Sequence, residues 1–250
     1  WTLSRVVGEW NFHRSTANPK LVLGENFYMQ EEYVHRSMYY FVPRNDLTVS
    51  QAGPDDYVDG PLEDWVASAL VFDGAERFAA LSHEDMTTDF EYTVGRGNQT
   101  NVMQGEARRT LDMDTNNFLV EMVLRPQAVR TGGTIVCKMG EQAGYRIGLD
   151  ERGRLELELK SAGDSSLTTG TKINDGQWHH VIVEVDRKAG KVRIYLDGKR
   201  LVALESDIKL GDDASLANTS DFLVGKHPEG GYFAGALDYL RVSRGTLADA

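Results

Sequence analysis

The sequence predicts an all-β fold, an antiparallel β-sandwich with an N-terminal extension. From Ala67 onward, short apolar runs follow one another with turn residues between them, the habit of a chain that folds strand after strand. Several runs alternate apolar and polar residues, which gives each strand one core face and one outer face. Asp-Gly pairs at Asp73-Gly74 and Asp197-Gly198 mark tight turns, because both residue types tolerate positive φ.

Taken in order, Trp1 to Trp65 is aromatic-rich and irregular. It holds the apolar run "KLVLG" and the strand-like "SMYYFVP", in which Pro43 stops pairing. "NFYMQEEYVHRSM" fits neither helical nor strand periodicity cleanly. "SQAGPDDYVDGPLEDW" combines prolines, glycines and acids and reads as a linker or long loop. The expected division is therefore 1–66 as an extension, or the end of a preceding domain, and 67–250 as the sandwich.

Within the second part, "SALVFDGAERFAAL" supplies two short strands around Asp73-Gly74. A long polar excursion, His83 to Asp114, interrupts the series. "NNFLVEMVLRP" places Phe118, Val120, Met122 and Leu124 on one face and Leu119, Glu121, Val123 and Arg125 on the other. "GGTIVCKMG", "GYRIGLDERGRLELELK" and "DFLVGK" continue the pattern. In "NDGQWHHVIVEVDRKAGKVRIYLDGKRL", Trp178, His180, Ile182 and Glu184 share one face, while His179, Val181, Val183 and Val185 share the other. The valine face is the core side. The paired histidines sit inside a β-meander and read as structural.

Composition narrows the function. A net charge of −11 opposes binding that tracks phosphates and docking on anionic lipid. No apolar run is long enough to span a bilayer. Cys137 is the single cysteine, so no internal disulfide forms, and its apolar neighbours make it a buried, inert thiol. No Cys/His spacing of zinc type occurs. The chain begins at Trp1 rather than Met, and a piece of a longer polypeptide is expected.

"DGQWHHVIVEVDRKAGKVRIYLDGKRL" together with "FLVEMVLRP…GGTIVCKMG…GYRIGLDERGRLELELK" resembles the laminin-G-like domains of the concanavalin A-like superfamily. "ALVFDGAERFAAL" is similar to the family's opening strand pair and "FAGALDYLRVSRGTLADA" to its closing strand. The resemblance covers about Ser68 to Ala250 and implies a jelly roll of two antiparallel sheets. It also implies a non-catalytic module of a larger extracellular or cell-surface protein, recognising a polysaccharide or a glycoprotein glycan. A structural Ca²⁺ is a further implication. The matching donors are Asp73 and Gly74 of the early turn and Asp238 of the closing strand, which supply the hard oxygens that calcium takes.

Sugar recognition needs aromatic faces for C–H-rich sugar surfaces and planar polar groups for hydroxyls. Trp178, His180, Tyr195, His227 and Tyr232 are the candidates. The last two lie in the Gly-rich "GKHPEGGYF", which lacks the Lys-Ser/Thr ending of a phosphate loop and reads as a turn. Glycosidases on this fold need paired carboxylates. The Glu-x-Asp-x-x-Glu strand of laminarinase-like relatives is absent, and Glu156 and Glu158 are the nearest alternating acids. The lyase strand motifs are absent as well. The alternative to glycan binding is an architectural role, in which the sandwich packs against neighbouring domains of the same polypeptide. "NQT" at Asn98 and "NTS" at Asn218 are glycosylation patterns only along a eukaryotic secretory route.

Overall fold

Alternation along the runs becomes two facing sheets in a computed structural model. It describes residues 5–14, 20–22, 28–33, 36–41, 45–61, 68–86, 88–89, 108–128, 132–162, 164–201, 206–211 and 213–247. One sheet, here the front sheet, runs in the order Lys199–Arg200, Lys191–Leu196, His179–Asp186, Phe118–Pro126, Ala234–Arg244, Ala69–Asp73, Tyr57–Val58. Arg5–Asn11 lies beside Ala234–Arg244 on the edge that also pairs Ala69–Asp73. The back sheet runs Asp164–Lys172, Arg154–Ser161, Ala143–Leu149, Gly133–Met139, Phe222–Val224, Ala79–Leu81, Leu47–Val49, Leu21–Val22. All these strand pairings are antiparallel. The only helical element among the described residues is a 3₁₀ turn at Pro54–Asp56.

The alternation read from sequence holds. Phe118, Val120, Met122 and Leu124 are fully buried, as are Val181, Val183 and Val185. They meet Tyr145, Ile147 and Leu159 of the back sheet in one apolar layer. Aromatic contacts pin it: Trp10 stacks on Phe222 at 5.4 Å and Phe118 meets Tyr145 at 5.2 Å. Asp197 and Gly198 both have positive φ, 50° and 76°, the hairpin geometry expected of that pair.

Two expectations change shape. The strands around Asp73-Gly74 do not pair with each other: Ala69–Asp73 joins the front sheet and Ala79–Leu81 the back sheet. The turn is a corner between the sheets. Residues before 67 contribute strands to both sheets, so the expected boundary falls within a continuous sandwich. Tyr28–Tyr33 and Arg36–Phe41, the stretch whose periodicity was ambiguous, form an antiparallel hairpin. Most of the polar excursion and Asn98 lie outside the described residues. Asn218 is engaged inside the fold, its amide donating to the carbonyls of Lys138 and Leu216 at 3.1 Å.

Candidate functional site

The face of the front sheet turned away from the core is unusually rich in aromatic and charged groups. Register lines them up in rows. Tyr195 lies opposite Ile182, Ile182 opposite Glu121, and Glu121 opposite Arg241. One step along, His180 lies opposite Val123, and Val123 opposite Tyr239. A further step brings Arg125 opposite Ala236, which lies opposite Val71. Directly opposed side chains on one face sit within contact range, so residues distant in sequence become neighbours.

The centre of this face is a charged triad. His180 Nε2 lies 2.7 Å from Glu121 Oε1, and Arg241 donates to Glu121 Oε2. Burial pushes the Glu121 carboxyl up, but the His180 hydrogen bond and the Arg241 charge outweigh it and hold it below the usual value. The same hydrogen bond to Glu121 holds the His180 imidazole above its usual value, against burial. His180 keeps 40% of its side chain exposed. The neighbouring His179 points elsewhere, its two ring nitrogens each 3.0 Å from a carboxylate, Asp175 and Asp197. Burial lowers its pKa, and the two carboxylate contacts more than reverse this. Both histidines therefore have acidic partners, Asp175 within four residues of His179, and Glu121 and Asp197 brought up from other strands and turns.

Trp178 lies at the end of the same face, with the Arg125 guanidinium 5.0 Å above its ring. Beside Arg125 opens a groove of about 440 Å³. Its walls include Val58, Val71, Asp73, Arg125, Gln127 and Ala236. Tyr195 is half-buried further along the sheet, where burial and the Glu184 charge raise its phenol pKa.

The five sequence-derived ligand residues thus divide. Trp178, His180 and Tyr195 share the outer front face. His227 and Tyr232 belong to the 225–233 loop on the other side of the molecule. There, Tyr232 and Phe78 approach to 6.4 Å and Lys226 lies over both rings. His227 and Gly230 exchange backbone hydrogen bonds, confirming the Gly-rich stretch as a turn. Burial and the nearby Arg146 charge lower the His227 pKa, and its Nδ1 accepts the Glu229 N–H at 3.2 Å. Arg146 also holds Glu156 at 2.6 Å and Glu158 at 3.1 Å, so these alternating acids are ion-paired.

The expected calcium donors do not converge. Asp73 pairs with Ala234, which leaves Asp238 four residues further along the strand, about 13 Å at the usual rise. Asp73 Oδ1 is already occupied by the N–H groups of Ala75, Glu76 and Arg77 at 2.9–3.0 Å. Burial raises its pKa, but these three donors bring it below the usual carboxylate value. Gly74, at φ 72°, is committed to the corner, where a Cβ would meet the Ala234 Cβ at 2.7 Å. Among the described residues no cluster of three or more His, Cys, Asp or Glu side chains is placed to hold a metal ion. Asp73, Gly74 and Asp238 do not fit a shared calcium ion. Asp238 is instead a fully buried carboxylate whose two oxygens have no hydrogen-bond partner among the described residues, and burial pushes its pKa up to about 6.

The sequence model of a laminin G-type family of the concanavalin A-like lectin/glucanases superfamily matches residues 96–250, more than half of the chain. The chain belongs to this family. Its laminin G-type architecture recurs in solved structures of low sequence identity. Domain 4 of AbnA, an extracellular GH43 arabinanase from Geobacillus stearothermophilus solved with arabinotriose, is similar at 17% identity and TM-score 0.53. The match covers 98% of this chain and 95% of that domain. The binding domain of botulinum neurotoxin DC, solved with SialylT, is similar at 11% identity and TM-score 0.58, covering 99% of this chain and 50% of that one. The same toxin domain solved with rat synaptotagmin II gives 14% identity and TM-score 0.57, with 98% and 49% covered. This chain spans about half the length of the toxin domains. At these identities the likenesses show the fold alone. No curated protein matches the sequence.

The residues of the site that sequence reasoning passed over are Arg125, Glu121, Arg241 and Gln127. Glu121 and Arg125 had been placed on the outer face by alternation, but nothing local singles them out. Their partners, His180 and Trp178, lie more than fifty positions away.

Proposed function

We propose that this protein is a non-catalytic carbohydrate-recognition module of an extracellular or cell-surface protein, binding a polysaccharide or glycoprotein glycan on the outer face of its front sheet. The observation that carries this reading is the assembly on one face of Trp178 with Arg125, the His180–Glu121–Arg241 triad and Tyr195, beside an open groove. Such a face offers apolar surface for sugar C–H groups and fixed planar donors and acceptors for hydroxyls. Membership of a lectin/glucanase superfamily and likeness to domains solved with arabinotriose and SialylT support it by analogy of fold.

The commitment of the carboxylates on the two sheets supports binding without cleavage. Glycoside hydrolysis needs one carboxyl to give a proton and a second to act as nucleophile or base. Glu121 is held ionised between His180 and Arg241, and Glu156 and Glu158 are both tied to Arg146. The test is a glycan and polysaccharide array with calcium and with chelator, followed by product analysis on every hit. Binding with intact glycan supports the reading. Release of reducing ends or unsaturated uronates makes the protein an enzyme, and silence across the array favours an architectural role.

A further inference from the structure

We infer that the groove beside Arg125 takes a carboxylated sugar unit, of the uronate or sialate class, with Arg125 as the partner of the sugar carboxylate. The inference rests on the glycan-binding reading and names the ligand class of that same face.

Among the described arginines that are not exposed, Arg125 is set apart by what it lacks. Arg77, Arg146, Arg154, Arg193 and Arg241 each pair with at least one carboxylate. Arg187 and Arg244 donate to backbone carbonyls. Arg125 is half-buried and lines the groove; among the described residues it has no acidic partner, and its side chain lies over the Trp178 ring. With its carbon over the indole, the guanidinium spends none of its N–H groups on an acceptor there, and those donors, which lie in the guanidinium's own plane, match a carboxylate in bidentate geometry. Trp178 therefore orients the fork without consuming it.

The rest of the groove suits a pyranose bearing one charge. Val58, Val71 and Ala236 give an apolar surface. Gln127 is exposed and lines the groove, a planar amide for hydroxyls. Asp73 lines it too; its Oδ1 is occupied, and among the described residues none donates to its Oδ2. Arg125 and Asp73 do not pair with each other; the Ala234–Arg244 strand lies between their strands. The groove thus presents a cation for the ligand's carboxylate and, across one strand, an acceptor for its hydroxyls. A net charge of −11 opposes a dense polyanion, but screening over roughly 8 Å at physiological salt leaves a single carboxylate read at contact distance. The volume of about 440 Å³ falls within the roughly 300–1,000 Å³ typical of small-ligand sites.

The test uses the full chain on an array of oligouronates and sialylated glycans, printed beside the same glycans after carboxyl reduction or desialylation. Hits are expected in the carboxylated set, each weakened about ten- to a hundredfold in its neutral counterpart, the usual worth of a charged hydrogen bond. Arg125→Gln is expected to weaken the carboxylated hits by a similar factor with no loss of thermal stability, and Arg125→Lys to restore part of the affinity. Hits confined to neutral glycans overturn the inference and leave the glycan-binding reading standing. Wild-type affinity of Arg125→Gln for carboxylated hits does the same. Absence of binding to either set overturns the inference, and the glycan-binding reading falls with it when the broad glycan and polysaccharide array is silent as well.

Discussion

Asp238→Asn should stabilise this protein, and by an amount that depends on pH in a defined way. The Asp238 carboxyl is fully buried, neither oxygen finds a donor among the described residues, and its pKa rises from 3.8 to about 6. In the unfolded chain the group ionises near 3.8; in the native state it resists ionisation up to about 6. The native state therefore binds the extra proton between these values, and stability falls as pH rises through that window. Above pH 6 the cost is complete. A shift from 3.8 to about 6 at ~1.4 kcal/mol per unit comes to about 3 kcal/mol. Asparagine has the same shape and no charge, and its amide is as short of partners as the protonated acid. The variant should therefore match wild type near pH 4 and exceed it by about 3 kcal/mol at pH 7, roughly 6–12 °C in Tm for a chain of this size. Urea denaturation of both proteins from pH 4 to 8, in chelator, measures the difference directly. A neutral or destabilising Asp238→Asn at pH 7 would refute the reasoning, because the carboxylate would then have a partner. The same series in calcium separates the remaining case: an ion bound at Asp238 would stabilise wild type and turn the substitution harmful.

Other consequences can be checked with the same protein. Lys138 is fully buried, ion-paired with Asp112 at 2.9 Å, and donates hydrogen bonds to the carbonyls of Asn218 and Ser220. Lys138→Met should cost about 3–5 kcal/mol in urea denaturation by stranding Asp112, and adding Asp112→Asn should recover part of it; equal stability of the single variant would contradict the pairing. Glu121→Gln should lower the NMR titration midpoint of His180, whose elevation comes first from that hydrogen bond, and an unmoved midpoint would rule the contact out. Because His179 and His180 are both raised above 6.5, their contribution is fully present below pH 6.5 and fades as pH climbs through their native values. Asp197→Asn, which weakens the tie to His179 Nδ1, should flatten that part of the stability–pH curve, while a curve of unchanged slope would show that His179 owes nothing to Asp197.

Much of the fold was legible because strand alternation is a local signal. The faces of 118–125 and 178–185 were assigned residue by residue, and burial of Val120 and Val183 agrees. Connectivity was less legible. Asp73-Gly74 looks like a hairpin turn in any short window, yet the chain crosses between sheets there, a choice made by packing partners far away. Lys138 shows a similar limit. The apolar run "GTIVCKM" suggests a strand but not the bulge after Thr134. Past that bulge Lys138 pairs with the buried Tyr145 on the core side, while Cys137 pairs with Arg146 outside. Cys137 remains buried there among Met139 and Leu223, and burial pushes its thiol pKa up to about 12, the inert state read from its neighbours.

The site was legible only in its aromatic members. Trp178, His180 and Tyr195 stand out by residue type, but a site is a matter of which strands lie side by side. Glu121 reaches His180 and Arg241 through cross-strand register, and no spacing in the sequence encodes that. Tyr232 illustrates the converse: an aromatic in a Gly-rich turn invites a ligand role, while its ring is shared with Phe78 and Lys226 across the molecule.

The central claim, glycan recognition on the outer front face, is tested most directly by NMR of the full chain with a glycan taken from the array. The side-chain signals of Trp178, His180, His227 and Tyr232 report on the two sides of the molecule at once. The account expects the Trp178 indole and His180 imidazole signals to shift in proportion to occupancy while those of His227 and Tyr232 stay fixed. Shifts confined to His227 and Tyr232, with Trp178 and His180 unmoved, would contradict it.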